Sequence, residues 1–557
     1  MSPQLTMALS ITIQLGFAFA FGSCIGSLIN VLAYRMPLGL NVVTPASKCP
    51  SCNHVLTWRE NIPVFGWLLL RGRCRFCKGS ISPEYPIVET IVGLVFVGLY
   101  LLWYIVPDRG GVWLGVDWSV VKPEWAMNGF AQTWPIFITL LVLVSSLIAM
   151  TIIDARTFTI PLALAWTPTV VALLAHPLTA VVMGLRGKGW RYTAAGEWWA
   201  LPTPGVFGWP ILCATIGAVV GLVIANGLLA LGLIKRSFAD YDEWESKALA
   251  EAGITPPDAE KDAGGDAAEP EKPEAKESPD TSPDGETENS GRAEGSESDA
   301  ASSPAEPRAP LPWKTIAVVL AASVVSGVLG AVMAGLFGFP EPLGVAAGVL
   351  VGVVAVGPIV RLLSGSDGQA GSADDSPAEL WIQYPHARRE VMREVLFLAP
   401  CLILAIVGWY VGQKIGEPWV LNPVTLQRQA SEGIPLWFSV LGGVLLGYLV
   451  GGGIVWAIRI FGTLGFGKEA MGLGDVHLLA AVGACLGWID SVLAFFVAPF
   501  IALYMVLVQA TWTGGGQRAM PYGPYLAVAT VAVILGKYGF EAVLTAVFGS
   551  PVRLDFP

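Results

Sequence analysis

Apolar runs long enough to cross a hydrocarbon core of about 30 Å, which takes roughly 20 helical residues, recur along nearly the whole of this 557-residue chain. They constrain the fold more than any other feature, because a backbone in lipid must satisfy its own hydrogen bonds as a helix or a closed barrel. The runs are continuous rather than alternating, which argues against a barrel. Composition agrees: 54% of residues are hydrophobic, 14% are charged and the mean hydropathy is +0.60, where a soluble globular protein carries about 25% charged residues. The prediction is an all-α polytopic membrane protein whose first partner is the lipid bilayer. Spans are expected near residues 8–33, 85–106, 135–153, 160–184, 209–235, 312–338, 341–363, 393–413, 435–461, 476–488, 490–512 and 525–548. The first run lacks a small-x-small cleavage site after a short apolar core, so it reads as a retained anchor.

Charge divides the chain. Between Asp240 and Arg308 stand 21 acidic and 6 basic residues, a local balance of −15, so the remainder carries +5 against a total of −10. Residues 237–311, rich in Glu, Asp, Pro, Ser, Ala and Gly, cannot bury enough apolar surface to offset chain entropy and are expected to be a disordered acidic insertion. No basic stripe on a soluble domain is present, so no nucleic-acid partner is implied. The loop after the first span carries Arg35, Lys48, Arg59, Arg71, Arg73, Arg75 and Lys78 against Glu60 and Glu84, which makes it cytoplasmic by the positive-inside rule. Counting spans onward puts Asp154 and Asp475 both at the cytoplasmic rim. The predicted divisions are a first span (1–33), a cytoplasmic loop domain (34–84), a bundle with the first aspartate (85–236), the insertion (237–311), additional spans (312–434) and a final bundle (435–557). Tryptophans such as Trp198, Trp199 and Trp209 suit interfacial anchoring.

An ionisable group in or beside a span is costly, so each is a functional hypothesis by default. Asp154 closes one apolar run just before another, in Ile153-Asp154-Ala155-Arg156, where a pairing with Arg156 at a helix end is the plain alternative. Asp475 follows Gly472-Leu473-Gly474, with Lys468 and Glu469 upstream and His477 downstream. Glycines there remove bulk and free the backbone, which suits close approach of an extended substrate strand. Two neighbouring carboxylates share one proton, so one can act as base and the other as acid.

Cys49-Pro50-Ser51-Cys52 and Cys74-Arg75-Phe76-Cys77 are two CxxC knuckles 21 residues apart, close to the spacing of a four-cysteine structural zinc site; His54 is expected at the surface. A cytoplasmic setting disfavours disulfides. The other four cysteines, Cys24, Cys213, Cys401 and Cys485, stand in apolar runs and read as small core residues. His176 and His386 have no evident partner.

The segment Gly467 to Asp475, followed by Leu478 to Trp488, closely resembles the second catalytic motif of type IV prepilin peptidases. Gly22 to Val31, the paired cysteines, Glu60-Asn61-Ile62-Pro63 and Ile81 to Glu89 resemble the family's N-terminal domain in order and spacing. The likeness covers residues 20–105, 148–162 and 465–525, including Pro521-Tyr522-Gly523-Pro524-Tyr525. It implies a Gly-x-Gly-Asp aspartyl protease helix bundle with a small cytoplasmic cysteine-rich zinc loop. By the resemblance, Asp154 and Asp475 are the two catalytic aspartates, the substrates are prepilin or pseudopilin helices cut at the cytoplasmic face of the bacterial inner membrane, and many members then methylate the new N-terminus with S-adenosylmethionine. Two positions depart from the family: Leu162 replaces a common polar residue, and His477 replaces a common lysine. Rival readings are a Gly-x-Gly-Asp protease acting on other membrane helices, and a transporter or secretion-assembly scaffold with a zinc-binding loop.

Overall fold

The computed structural model describes residues 2–185, 201–204, 208–247, 385–415, 420–421, 428–429, 434–513 and 521–549, less a few single positions within them. Lys468, the expected spans at 312–338 and 341–363, and nearly all of the acidic insertion lie outside the described residues. The helices are α1 (Pro3–Arg35), α2 (Phe65–Leu69), α3 (Glu84–Tyr100, extended by a π-helical turn Leu101–Ile105), α4 (Phe130–Thr157), α5 (Leu162–Leu185) and α6 (Gly208–Ala230). They are followed by α7 (Ala387–Ile415), α8 (Leu436–Phe466), α9 (Leu473–Leu486), α10 (Trp488–Thr513) and α11 (Gly523–Phe548). Two hairpins of two-residue strands, β1 (Val112–Trp113) with β2 (Val116–Asp117) and β3 (Val420–Leu421) with β4 (Arg428–Gln429), complete the described secondary structure besides short 3-10 turns. Among the described residues eight helices are long and apolar enough to cross a membrane, or nine if α11, bent by 79° near Lys537, is one span.

The span expected at 476–488 is corrected. Gly472 begins α9 from an extended conformation, and Gly487, at φ 96°, stops it after 14 residues. At 1.5 Å per residue such a helix is about 21 Å long, too short to cross alone. It is instead enclosed by its neighbours, and Leu478 through Cys485 are all buried.

Lipid tails are as apolar as leucine, so helices in a membrane associate by close backbone packing at small residues. Three glycine seams do this. On α8, Gly447 and Gly451 lie against the carbonyls of Gly483 and Leu479, and Gly483 returns the contact onto Gly447. On α6, Gly217 and Gly221 face the carbonyls of Leu404 and Pro400, while Gly408 of α7 faces Cys213. On α1, Gly22 and Gly26 leave room for Gly93 and Glu89 of α3. The main core draws Ile29, Phe96, Leu147, Met150, Leu479 and Leu526 from α1, α3, α4, α9 and α11, with α4 at its centre. By contrast α7 packs on α6 and buries only Ala387, Glu390, Val391, Glu394 and Gly412. Of the four cysteines expected in the core only Cys485 is buried; Cys24 is exposed on the outer face of α1 and Cys213 and Cys401 are half-buried, as small apolar side chains are free to be when lipid replaces protein around them.

Candidate active site and cysteine cluster

Three helix ends meet at one place. Asp154 lies in the last turn of α4, which closes on Phe158 in the left-handed conformation with its N–H on the Asp154 carbonyl, 2.9 Å away. Asp475 is the third residue of α9, where a carboxylate faces the positive end of the helix dipole. The backbone of Gly523, the first residue of α11, lies against the Asp154 carboxyl, close enough for its N–H to act on it. Both carboxyls are buried, at 6% and 7% exposure, and they are near enough for the charge of Asp154 to act on Asp475. Tyr522 also lies within range of the Asp475 charge.

Two glycines make this approach sterically permissible. A side chain at Gly474 would come within 2.8 Å of Cβ of Ile160, in the turn after Asp154, and one at Gly523 within 2.6 Å of Asp154 Oδ2. A Cβ at Gly472 would stand 3.9 Å from Asp475 Oδ2, in ordinary contact, and Gly472 is exposed, which leaves that side of the acid open. His477 is half-buried on α9; two residues on from Asp475, it is turned by about 200° around the helix, away from the acid. Arg156 does not pair with Asp154: it forms an ion pair with Glu84 at the start of α3.

That ion pair ties the cysteine loop to the same end of the bundle. Glu89 of α3, 8% exposed, accepts the Val64 N–H at 2.6 Å, and Asn30 donates to the Tyr85 carbonyl at 3.1 Å. The two knuckles repeat one geometry: Asn53 and Lys78, both at positive φ, donate to the carbonyls of Cys49 and Cys74, and short bridges Lys48–Val55 and Arg73–Ser80 flank them. The four sulfurs lie within 4.8 Å of one another, with Cys49–Cys77 at 3.8 Å and Cys52–Cys74 at 3.9 Å. A tetrahedron with metal–sulfur bonds of about 2.3 Å has edges of about 3.8 Å, so the cluster fits a metal ion of that kind. Its electrostatics fit too. The N–H groups of Cys52 and Ser51 aim at Cys49 and hold its thiol down at about 6. The His54 N–H favours the Cys52 thiolate, but burial and the sulfurs of Cys77, Cys49 and Cys74 push that thiol up to about 11, since crowded thiolates repel unless a cation stands between them. His54, expected at the surface, is half-buried against the Phe76 ring at 3.6 Å between centroids.

Sequence reasoning missed a buried charge. Arg459, two turns before the end of α8 and 1% exposed, binds Glu394 of α7 at 2.8 Å and also reaches Glu469 and the Met471 carbonyl just ahead of the Gly-x-Gly-Asp turn. A charge inside an apolar run, Ile458-Arg459-Ile460, was the available signal. Glu390 and Glu394, near the start of α7, are buried as well. His176 gains a partner in the Cys485 carbonyl, 3.1 Å away.

A bundle of apolar helices that encloses a carboxylate pair beside a Gly-x-Gly-Asp turn defines the class of Gly-x-Gly-Asp membrane aspartyl protease folds. Residues 20–103 match the bacterial peptidase A24 N-terminal domain and residues 423–507 the type IV leader peptidase family. The chain is 52% identical over 80 residues to a prepilin leader peptidase/N-methyltransferase of Myxococcus xanthus, covering 14% of this chain and 24% of that one. Proteins of the same description from Klebsiella pneumoniae (44% over 103 residues, 17% and 45% covered) and Pectobacterium carotovorum (32% over 161 residues, 25% and 48% covered) are also similar. Two segments of the chain thus resemble the type IV prepilin peptidase family, and the chain spans less than half the length of the curated relatives it matches. No solved structure matches it.

Proposed function

We propose that the chain is an aspartic endopeptidase of the bacterial inner membrane that removes the leader of prepilins or pseudopilins at the cytoplasmic face, with Asp154 and Asp475 as the catalytic pair. The observation that carries this reading is the meeting of two buried carboxyls, from α4 and α9, at three helix ends. Like charges so close share one proton. The ionised member takes a proton from water as the water attacks the scissile carbonyl, and the protonated member donates to the carbonyl oxygen. Asp154, with the Gly523 backbone against its carboxyl, is assigned as the base and Asp475 as the acid at the start of the cycle. The substrate helix must unwind locally, because its own hydrogen bonds shield the peptide group, and the open side at Gly472 admits an extended strand.

Cys49, Cys52, Cys74 and Cys77 would hold zinc, and a bound ion supplies a structural closure for a loop too small to build a core. Methylation of the new N-terminus with S-adenosylmethionine is proposed on the relatives' description alone. Among the described residues there is no parallel sheet or glycine-rich strand–helix turn to cradle such a cofactor. The supporting residues Gly472, Gly474 and Glu469 shape the turn before Asp475; Lys468 and His477 are assigned no step.

The test is cleavage of a candidate prepilin in detergent by the wild type, Asp154→Asn and Asp475→Asn. Each substitution is expected to abolish cleavage while leaving thermal stability intact, and full activity in either variant would sink the pair.

A further inference from the structure

One buried network is not used by the proposed chemistry. Glu390 and Glu394 sit one turn apart on α7 and are 0% and 2% exposed. Glu390 accepts hydrogen bonds from Arg393 at 2.7 Å, Arg389 at 3.0 Å and the Phe238 N–H at 3.1 Å, the last from a residue at positive φ. Glu394 accepts from Arg459 at 2.8 Å, from the Trp456 indole at 3.1 Å and from Ser237 at 3.2 Å. The Arg459 guanidinium, 4.9 Å from the Phe238 ring centroid, extends from there to Glu469 and the Met471 carbonyl. Thr463, one turn further along α8, accepts the Ala470 N–H at 3.3 Å. The segment from Glu469 to Met471 is therefore gripped from α8, and Glu394 of α7 fixes the arginine that grips it.

We infer that Arg459, fixed by Glu394, is a positioning residue for the segment that leads into Asp475, and that the chain on either side of residues 248–384 is built into the active site through it. The reading rests on Asp475 being catalytic. Several features support it. A fully buried arginine is tolerated only when its donors are satisfied, and here they are divided between α7 on one side and the turn before Asp475 on the other. The planar fork of arginine can bridge two such partners, whereas the compact ammonium of lysine cannot reproduce that geometry. Glu469 and Met471 stand six and four residues ahead of Asp475, so slack at Glu469 is passed to the start of α9. Ser237 and Phe238 precede the acidic stretch and α7 follows it, and both ends pack in one small cluster with Tyr241 and Ala387.

The test uses the full chain in lipid nanodiscs with two readouts, amide hydrogen exchange and prepilin cleavage. Glu394→Gln and Arg459→Lys are expected to speed exchange across residues 467–473 on the order of tenfold, with exchange in α4 and α5 unchanged. Cleavage should lose kcat on the order of tenfold at unchanged KM, the pattern of a misplaced catalytic group rather than of lost binding. Wild-type exchange in the segment in both variants overturns the inference, as does a rise in KM alone. Where a variant loosens α4 and α5 as well, Glu469→Gln decides. It removes only the carboxylate on the loop side, so selective loosening of 467–473 sustains the inference and unchanged exchange overturns it. Failure of the wild type to cleave any prepilin would remove the peptidase reading but leave the exchange result to judge the coupling.

Discussion

Gly523→Ala isolates the carboxylate geometry better than any change to the acids themselves. Gly523 has no left-handed backbone requirement, since it is absent from the positive-φ glycines, and alanine keeps the backbone N–H beside Asp154. The added methyl group would stand 2.6 Å from Asp154 Oδ2 and 3.2 Å from Ile160 Cδ1, against the 3.4 Å at which ordinary contact begins. The carboxyl must therefore retreat by about 0.8 Å, or α11 must lift away from it by a similar amount. A displacement of about 1 Å at a reacting group costs on the order of 10²-fold in rate, equivalent to about 2.7 kcal/mol of transition-state stabilisation. The cost in stability should stay within about 1–3 kcal/mol, the usual range for an overpacked methyl group. Single-turnover cleavage of a prepilin measures the first quantity, and thermal unfolding in detergent the second. Gly453→Ala is the matched control: nothing lies within 4 Å of its added carbon, so activity should hold within about twofold and the helix should gain up to about 1 kcal/mol. If Gly523→Ala cleaved within about twofold of wild type while Asp154→Asn was inactive, the close fit of Gly523 around the carboxyl would have no catalytic meaning and the reasoning would fail.

Three further outcomes are expected. Gly447→Ala places a methyl group against the Gly483 carbonyl in the α8–α9 seam and should lower the unfolding temperature, by a loss of roughly 1–3 kcal/mol, with cleavage falling because α9 carries Asp475; an unchanged unfolding temperature would discredit the seam. Cys74→Ser combined with Cys77→Ser should strip metal from the purified chain, measured by elemental analysis, and zinc content equal to wild type would refute the four-cysteine site. Glu60 accepts the N–H and Oγ1 of Thr57, both at 2.9 Å, and these bonds outweigh burial to hold its carboxyl below the usual value near 4.5. A depressed folded value means that its contribution is present above pH about 4.5 and is lost as pH falls through the lower folded value. Fluorescence of nearby Trp58 should follow that acid step in wild type, and an identical step in Glu60→Gln would show that Glu60 is not its source.

The membrane architecture, the two CxxC knuckles and the Gly-x-Gly-Asp turn were legible from sequence because each is written in local terms. Continuous apolar runs need only their own length to imply helices in lipid, and the knuckles carry their cysteines at fixed spacing, on turns that repeat one geometry at Asn53 and Lys78. Helix breaks were harder to read. The apolar stretch after Gly474 looks like a span until Gly487 at φ 96° ends it at 14 residues.

What only the tertiary structure decided is which distant groups meet. Asp154 and Asp475 are 321 positions apart, and no periodicity links them; Gly474 and Gly523 do, by letting helix ends close upon Ile160 and upon Asp154 itself. The same holds for Arg459, which reads as an isolated charge in an apolar run until α7 brings Glu394 to it. In lipid, local apolarity selects helices but does not tell them which faces to pair, because every apolar face is equally satisfied by the tails. The choice falls to the few places where a missing side chain or a buried charge makes one partner fit and all others fail.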